Sequence, residues 1–233
     1  MNTVAVLQSN YIPWKGYFDI INDVDIFIFY DDVQYTKNDW RNRNRIKTSN
    51  GTQWLTIPVG SHNEKLICEV GFSNLQWGKK HYTTLQANYS RSPYYKKYND
   101  FFQFIYLDKN WESLSEFNQY VIKTISSEFL GIKTEFVDSR NFNTSDTKLD
   151  RLINLLVNVR AEKYVSGPAA KDYIIESYFS DRSIELCYKN YQGYPQYKQL
   201  FDPFDHYVSI IDLLFNTGED APYFIWGWRE IDK

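Results

Sequence analysis

Only two cysteines occur in 233 residues, Cys68 and Cys187, far apart and without a CxxC partner. That spacing argues against a zinc site and against a disulfide framework. Either thiol can act as a nucleophile, although free cysteines more often serve as small buried hydrophobes. Histidine is almost as sparse, with His62, His81 and His206 the whole supply, so tunable general bases are few. No apolar run approaches a membrane span, and the start, MNTVAVLQSNYIPWKGYF, lacks the basic segment and long apolar stretch of a signal peptide. The cytoplasm is therefore the expected location. A formal net charge of −3 recruits neither nucleic acid nor an anionic membrane. GxSxG, HExxH, Walker, GxGxxG and kinase motifs are all missing. Without a repeat, low-complexity tract or Pro/Gly linker, the chain reads as one domain over 1–233.

Aromatic residues are what the chain has in excess, at 18%, with 20 Tyr, 16 Phe and 7 Trp. A ring-filled core accounts for this, and so does a cleft lined by rings. The second suits sugars, bases and peptides, because each ring offers a flat face and Tyr or Trp a polar tip.

Val4–Leu7 is a short apolar run, as expected of a strand buried on both faces. Trp14, Tyr17, Phe18 and Ile21 follow at helical spacing, and Asp25–Tyr30 reads as a second strand. Strand, helix, strand in so few residues indicates a βαβ unit. The expected fold is α/β, a mostly parallel Rossmann-like sheet flanked by helices with a helix-rich central insertion, 77–130 forming a helical lobe. Helices are expected over Trp77–Tyr89 and Pro93–Leu107, and along Leu114, Phe117, Val121, Ile125 and Phe129 up to a Gly131 C-cap. Leu149–Leu156 reads as a further helix, Gly167-Pro168 as the opening of another, and Asp205 as the cap of a last one ending at Gly218. Strands are expected at Gln53–Pro58, Leu66–Val70 (weakly), Lys133–Val137, Lys163–Ser166 and Ile184–Tyr188.

Four constellations can carry chemistry. Gln8, Asn10 and Tyr11 follow the first strand, where parallel sheets place ligands and where a helix N-terminus favours an anion. A polar turn capping the helix is the plainer alternative. Asp31 to Lys47 follows the second strand. Within it Gln34, Lys37, Trp40, Arg41, Asn42, Arg43 and Lys47 offer phosphate-binding charges, amides and a stacking ring. An extended backbone there sets Arg41, Arg43 and Arg45 on one face and Asn42 and Asn44 on the other. Asp31 and Asp32 can act as a base, bind a metal or orient a substrate amine or hydroxyl. His81 is the best-placed histidine for a general base, whereas His62 lies in a polar loop and His206 at a helix start. Ser166-Gly167 precedes a small-residue turn that permits close backbone approach to a ligand.

The stretches LQSNYIPWKGYFDII, YDDVQYTKNDWRNRNRIKT with QWLTIPV after it, KKHYTTLQANY, YVSGPAAKDYI and the DLLFNTG tail resemble the WbqC-like family essentially end to end. The resemblance implies a role among the proteins of surface polysaccharide (O-antigen, lipopolysaccharide) biosynthesis. Its proposed chemistry is acyl or aminoacyl transfer, particularly glycyl transfer, onto an amino sugar. It carries that role to Gln8, Asn10, Asp32, Gln34, Lys37, Arg41, Asn42, Arg43, His81 and Ser166. On this reading Arg41, Arg43 and Lys47 hold the diphosphate of a nucleotide-linked 4-amino-4,6-dideoxyhexose while Trp40 stacks on the base. His81 or Asp32 takes the amine proton, and Gln8 or a backbone N–H steadies the oxyanion. No cofactor or metal is expected. The donor is an activated acyl or aminoacyl group on a thioester, an adenylate or a tRNA, the last being the one nucleic acid expected as a partner. Two other readings stay open. One is an ATP-dependent nucleotidyltransferase-like enzyme that activates a carboxylate, although Pro13-Trp14-Lys15-Gly16-Tyr17 lacks the histidines of that class. The other is a non-catalytic nucleotide-sugar-binding protein.

Overall fold

The computed structural model describes residues 2–60, 64–142, 148–172 and 174–231; His62 and Tyr173 lie outside them. Five parallel strands form the central sheet: β1 (Thr3–Leu7), β2 (Ile26–Phe29), β5 (Glu135–Asp138), β6 (Lys163–Ser166) and β7 (Glu185–Tyr188), in the order β5-β2-β1-β6-β7. β3 (Arg43–Thr48) and β4 (Gly51–Thr56) form a separate antiparallel hairpin. The chain builds outward from β1 to one side and then returns to build on the other. The C-terminal ends of β1 and β6 therefore flank the switch point of a Rossmann-like sheet, where such folds bind ligands.

Alternation along β1 explains the two cores. Ala5 faces the larger one with Phe27, Phe29 and Val165, against α1 (Lys15–Asn22) and the helices of the insertion. Val4 and Val6 face the smaller one with Ile28 and Tyr164, against Leu152, Ile153 and Leu156 of α5 (Lys148–Asn158). The insertion supplies α2 (Trp77–Tyr89), α3 (Tyr95–Gln103) and α4 (Leu114–Thr124), and α3 and α4 each run on into a π-helical turn, Phe104–Asp108 and Ile125–Phe129. Gly131, at φ 69°, closes the second of these as the expected C-cap. Its buried side chains, Leu85, Phe102 and Phe117 among them, belong to the same packed cluster as α1.

Three expected elements differ. Leu66–Val70 holds a 3-10 turn at Ile67–Glu69, pinned by Cys68 N–H to the Asp31 carbonyl (2.8 Å) and closed by the Glu69 carboxylate on Leu66 N–H (2.9 Å). Gly167-Pro168 opens a single 3-10 turn, Pro168–Asp172, and no α-helix. The last long helix, α7 (Ile210–Thr217), is capped by Ser209, whose Oγ accepts Ile211 N–H, while Asp205 instead accepts Tyr207 N–H (2.7 Å).

The loop from β1 to α1 is the tightest piece of backbone. Ile12, β-branched and fully buried, sits at φ 37°, where only glycine is comfortable. The buried Asn44 amide donates to both the Tyr11 carbonyl (3.1 Å) and the Ile12 carbonyl (2.9 Å), and Ile210 N–H holds the Pro13 carbonyl (2.9 Å). Asn44→Ala leaves two buried carbonyls short of a donor beside a strained residue. It is expected to lower unfolding free energy by about 3 kcal/mol, measured by urea denaturation.

Candidate functional site

A cavity of about 300 Å³ opens beside this loop, lined by Asn10, Pro13, Trp14, Trp40, Asn44, Arg45 and Tyr207. Three separated segments meet there: the end of β1, the approach to and outer face of the β3–β4 hairpin, and the residues before α7. Trp14 and Tyr207 lie ring to ring at 5.6 Å, and Trp40 lies on Trp54 at 5.5 Å. Trp40 and Trp54 are each 43% exposed and Tyr207 62%, so indole and phenol faces are presented to solvent rather than used up in packing.

The expected alternation of the basic run is realised. Arg41, Arg43 and Arg45 are half-exposed, while Asn42, Asn44 and Ile46 between them are buried. Register places Arg45 opposite Trp54, with its guanidinium carbon 5.8 Å from that ring and that of Arg43 4.5 Å from it. Arg41 donates to the Asn10 Oδ1 and to Asp39 (3.3 Å each), Arg43 to the Asn38 carbonyl and Arg45 to the Tyr207 carbonyl (3.0 Å). The Nε of each arginine is buried without a hydrogen-bond partner. Among these contacts only Asp39 answers the three positive charges. The arrangement suits an anion held beside flat rings.

Other expected site residues are placed elsewhere. Gln8 follows β1, its carbonyl accepting the Tyr17 hydroxyl (2.9 Å), and β1 runs parallel to β6, which ends at Ser166. Ser166 is buried, its Oγ 3.3 Å from the Tyr164 hydroxyl, while a Cβ built on Gly167 would meet open space. Gln34 and Lys37 are exposed on the loop ahead of the hairpin. Asn42 is buried and donates to the Ile57 carbonyl (2.9 Å), a hairpin brace. Lys47 is also buried, its ammonium on the Pro203 carbonyl and its N–H on the Tyr89 hydroxyl (2.9 Å), so it is not brought to the arginines. Asp32 is held by Arg151 and by the Ser139 hydroxyl (2.5 Å), in a different cluster from His81.

His81 lies in the core with Tyr11. The Tyr11 hydroxyl bonds both His81 Nδ1 and the Tyr106 hydroxyl (2.7 Å each), and Trp77 stands edge-on to the imidazole. Burial lowers its pKa to about 4; a backbone hydrogen bond to Thr56 works the other way, and nearby Lys80 lowers it further. The ring is neutral at pH 7 and walled in by aromatics, not among the residues lining the cavity. Cys68 and Cys187 are free thiols, each pushed up by burial and so not thiolates at neutral pH. Among the described residues no cluster of three His, Cys, Asp or Glu could hold a metal, and no helix is long and apolar enough to cross a membrane.

Sequence reasoning missed Trp14, Trp54 and Tyr207. Trp14 reads as the start of a helix's apolar face, and Tyr207 stands almost two hundred residues from its ring partner. Trp54 did leave a signal: it shares the polar phase of its strand with Thr52 and Thr56, opposite the buried Leu55.

Fold and site together define a Rossmann-like α/β protein with a ring-and-arginine cavity beside its central strand. The WbqC-like protein family model matches residues 8–223, and the chain belongs to that family. Rv1507c of Mycobacterium tuberculosis, described as an uncharacterized protein, is 46% identical over 228 residues, covering 97% of this chain and 98% of its own. No solved structure matches the chain.

His81 gives a pH prediction. The unfolded chain protonates this imidazole near its ordinary 6.5 and the folded protein only near 4. Its contribution to stability is therefore complete above pH 6.5 and falls away as pH drops toward 4, by about 3 kcal/mol at most. Urea titrations over that range should show the loss in the parent protein and a flatter profile in His81→Gln.

Proposed function

We propose that the chain binds a nucleotide-linked amino sugar in the ring-and-arginine cavity and is an enzyme that transfers an acyl or aminoacyl group, glycyl among the candidates, to its amine. The setting is surface polysaccharide (O-antigen, lipopolysaccharide) biosynthesis in the cytoplasm. One observation carries the reading: Arg45 lines one cavity with Trp14, Trp40 and Tyr207, Arg43 lies with it against Trp54, and Arg41 is held on Asn10 of the same lining, so one ligand with both a diphosphate and flat rings suits the surface. Membership of the WbqC-like family supports it.

Guanidinium forks hold the diphosphate, and the indoles take the faces of base and sugar. Asn10 accepts from Arg41 through its Oδ1, which leaves its amide N–H groups to donate to the acyl carbonyl oxygen as negative charge develops there. With His81 and Asp32 engaged elsewhere, the amine is prepared electrostatically. The Arg45 guanidinium of the cavity lining disfavours an ammonium beside it and favours the neutral, nucleophilic form. Its lone pair forms the new C–N bond, and the carrier leaves with the electrons of the acyl bond while the amine proton passes to water. The donor is a thioester, an adenylate or an aminoacyl-tRNA, and no enzyme-bound acyl group is needed.

Calorimetric titration with a panel of nucleotide-diphosphate-linked amino sugars, followed by mass spectrometry after addition of each donor class, tests this. Trp40→Ala and Arg45→Ala should each weaken binding about tenfold, and Arg43→Ala should abolish the mass gain with the fold intact. If no nucleotide sugar binds, or both binding variants match the parent, the reading fails.

A further inference from the structure

A separate cavity, of about 620 Å³, gathers Cys68, Glu69, Glu112, Glu116, Gln119, Lys123 and Arg140. Arg140 follows directly after β5, and Lys123 rests over Phe29, the last residue of β2. The cavity therefore lies by the C-terminal ends of these two strands, where parallel sheets place ligands. It shares no lining residue with the ring-and-arginine cavity.

Its two cations differ. Arg140 is matched, its guanidinium donating to both oxygens of Asp138 (2.9 and 2.8 Å). Lys123 is not. Among the described residues its half-buried ammonium makes no hydrogen bond or ion pair, and it lies 5.3 Å from the centre of the Phe29 ring. Burial lowers its pKa, Asp138 works the other way, and nearby Arg140 lowers it further.

Acceptors in the same lining also stand open. Glu69 takes Leu66 N–H on one carboxylate oxygen (2.9 Å), and Glu116 takes Glu112 N–H (2.8 Å) with Lys109 4.0 Å from its other oxygen. The exposed Glu112 carboxylate has no hydrogen bond or ion pair among the described residues. Gln119 is buried, and its Nε2 lies against Asp138 (2.8 Å), Asp31 (3.1 Å) and the Ser115 hydroxyl (3.1 Å). Those acceptors fix which way the amide points and leave its Oε1 without a donor among the described residues. A small anion meets Lys123 here but also three carboxylates, and a small cation meets the carboxylates but also Lys123 and Arg140. Only a molecule carrying both charges answers the whole lining.

The geometry points to a site for a small zwitterion, a free amino acid or a dipeptide, whose carboxylate is taken by Lys123 beside Arg140 and whose ammonium is shared by Glu69 and Gln119 Oε1. The acyl donors named above have that carboxyl group blocked by a carrier, so this ligand is a different one. The site does not rest on the nucleotide-sugar reading.

Calorimetric titration of the full chain with the common amino acids and a set of dipeptides tests it. Matched carboxylic acids lacking the amine, and amines lacking the carboxylate, are run at equal ionic strength. At least one zwitterion should bind, with its two single-charge analogues at least tenfold weaker; whether an amino acid or a dipeptide binds best identifies the source. Lys123→Met and Glu69→Gln, each checked for an unchanged thermal transition, should need several-fold more of it. The half-buried Cys68 reports the location. Its alkylation by iodoacetamide, followed by peptide mass spectrometry, should slow about tenfold at saturation, while Cys187 on the opposite edge strand keeps its rate. The site is disproved if no zwitterion binds, if an acid or amine analogue binds as tightly, or if both variants bind like the parent. It is equally disproved if both thiols slow alike. None of these failures touches the nucleotide-sugar reading, whose cavity has a separate lining.

Discussion

Ile12 is bent into a backbone conformation that a β-branched residue resists, and the cavity depends on its staying there. The turn swings the chain from the end of β1 into α1 so that Asn10, Pro13 and Trp14 face one space. Nothing local rewards it. The compensation is tertiary: the Asn44 amide from the hairpin, Ile210 N–H from the start of α7, the Trp40 carbonyl on Tyr11 N–H, and below them Tyr11 hydrogen-bonded to His81 and Tyr106. One strained residue thus gathers the first strand, the hairpin, α2 and the C-terminal region around a single loop.

Buried acids set the same elements in place from behind. Asp31 accepts Ser9 N–H (2.8 Å), the Ser115 hydroxyl and the Gln119 amide (3.1 Å), tying the end of β1 to α4. Asp212 joins α7 to Tyr89 of α2, and Asp19 joins α1 to Arg229 near the end of the described chain. Each is fully buried, and each is surrounded by donors from distant segments. Polar hubs of this kind specify one arrangement of helices where apolar surface alone would permit several.

The sheet was legible because its strands are short apolar runs buried on both faces, and the helices because their apolar spacing is regular. The stretch Leu66–Val70 has the apolar content of a strand, but hydrogen bonds from its Cys68 and Leu66 N–H groups to the Asp31 carbonyl and the Glu69 carboxylate draw it into a turn. Arg41 to Arg45 alternate as expected, since a half-exposed hairpin obeys a period of two. The same rule misjudges Lys47, because past Ile46 the strand is covered on both faces, by Tyr89 and by Pro203. His81 looked like a base for its chemistry; its helix turns it inward among rings, in phase with Trp77, Leu85 and Tyr89 at four-residue spacing. The pairing of Trp14 with Tyr207 depends on closure across nearly the whole fold, and no local pattern encodes it.

Strand order has a consequence for biosynthesis. β1 sits at the centre of the sheet, and its neighbour β2 leaves the ribosome almost at once. Its other neighbour, β6, is made about 160 residues later, roughly ten to thirty seconds at ordinary translation rates. Through that interval the nascent chain carries an unpaired apolar edge at what will become its middle, open to association with other chains. How long that edge stays open is therefore set by the order in which the strands are written, more than by their composition.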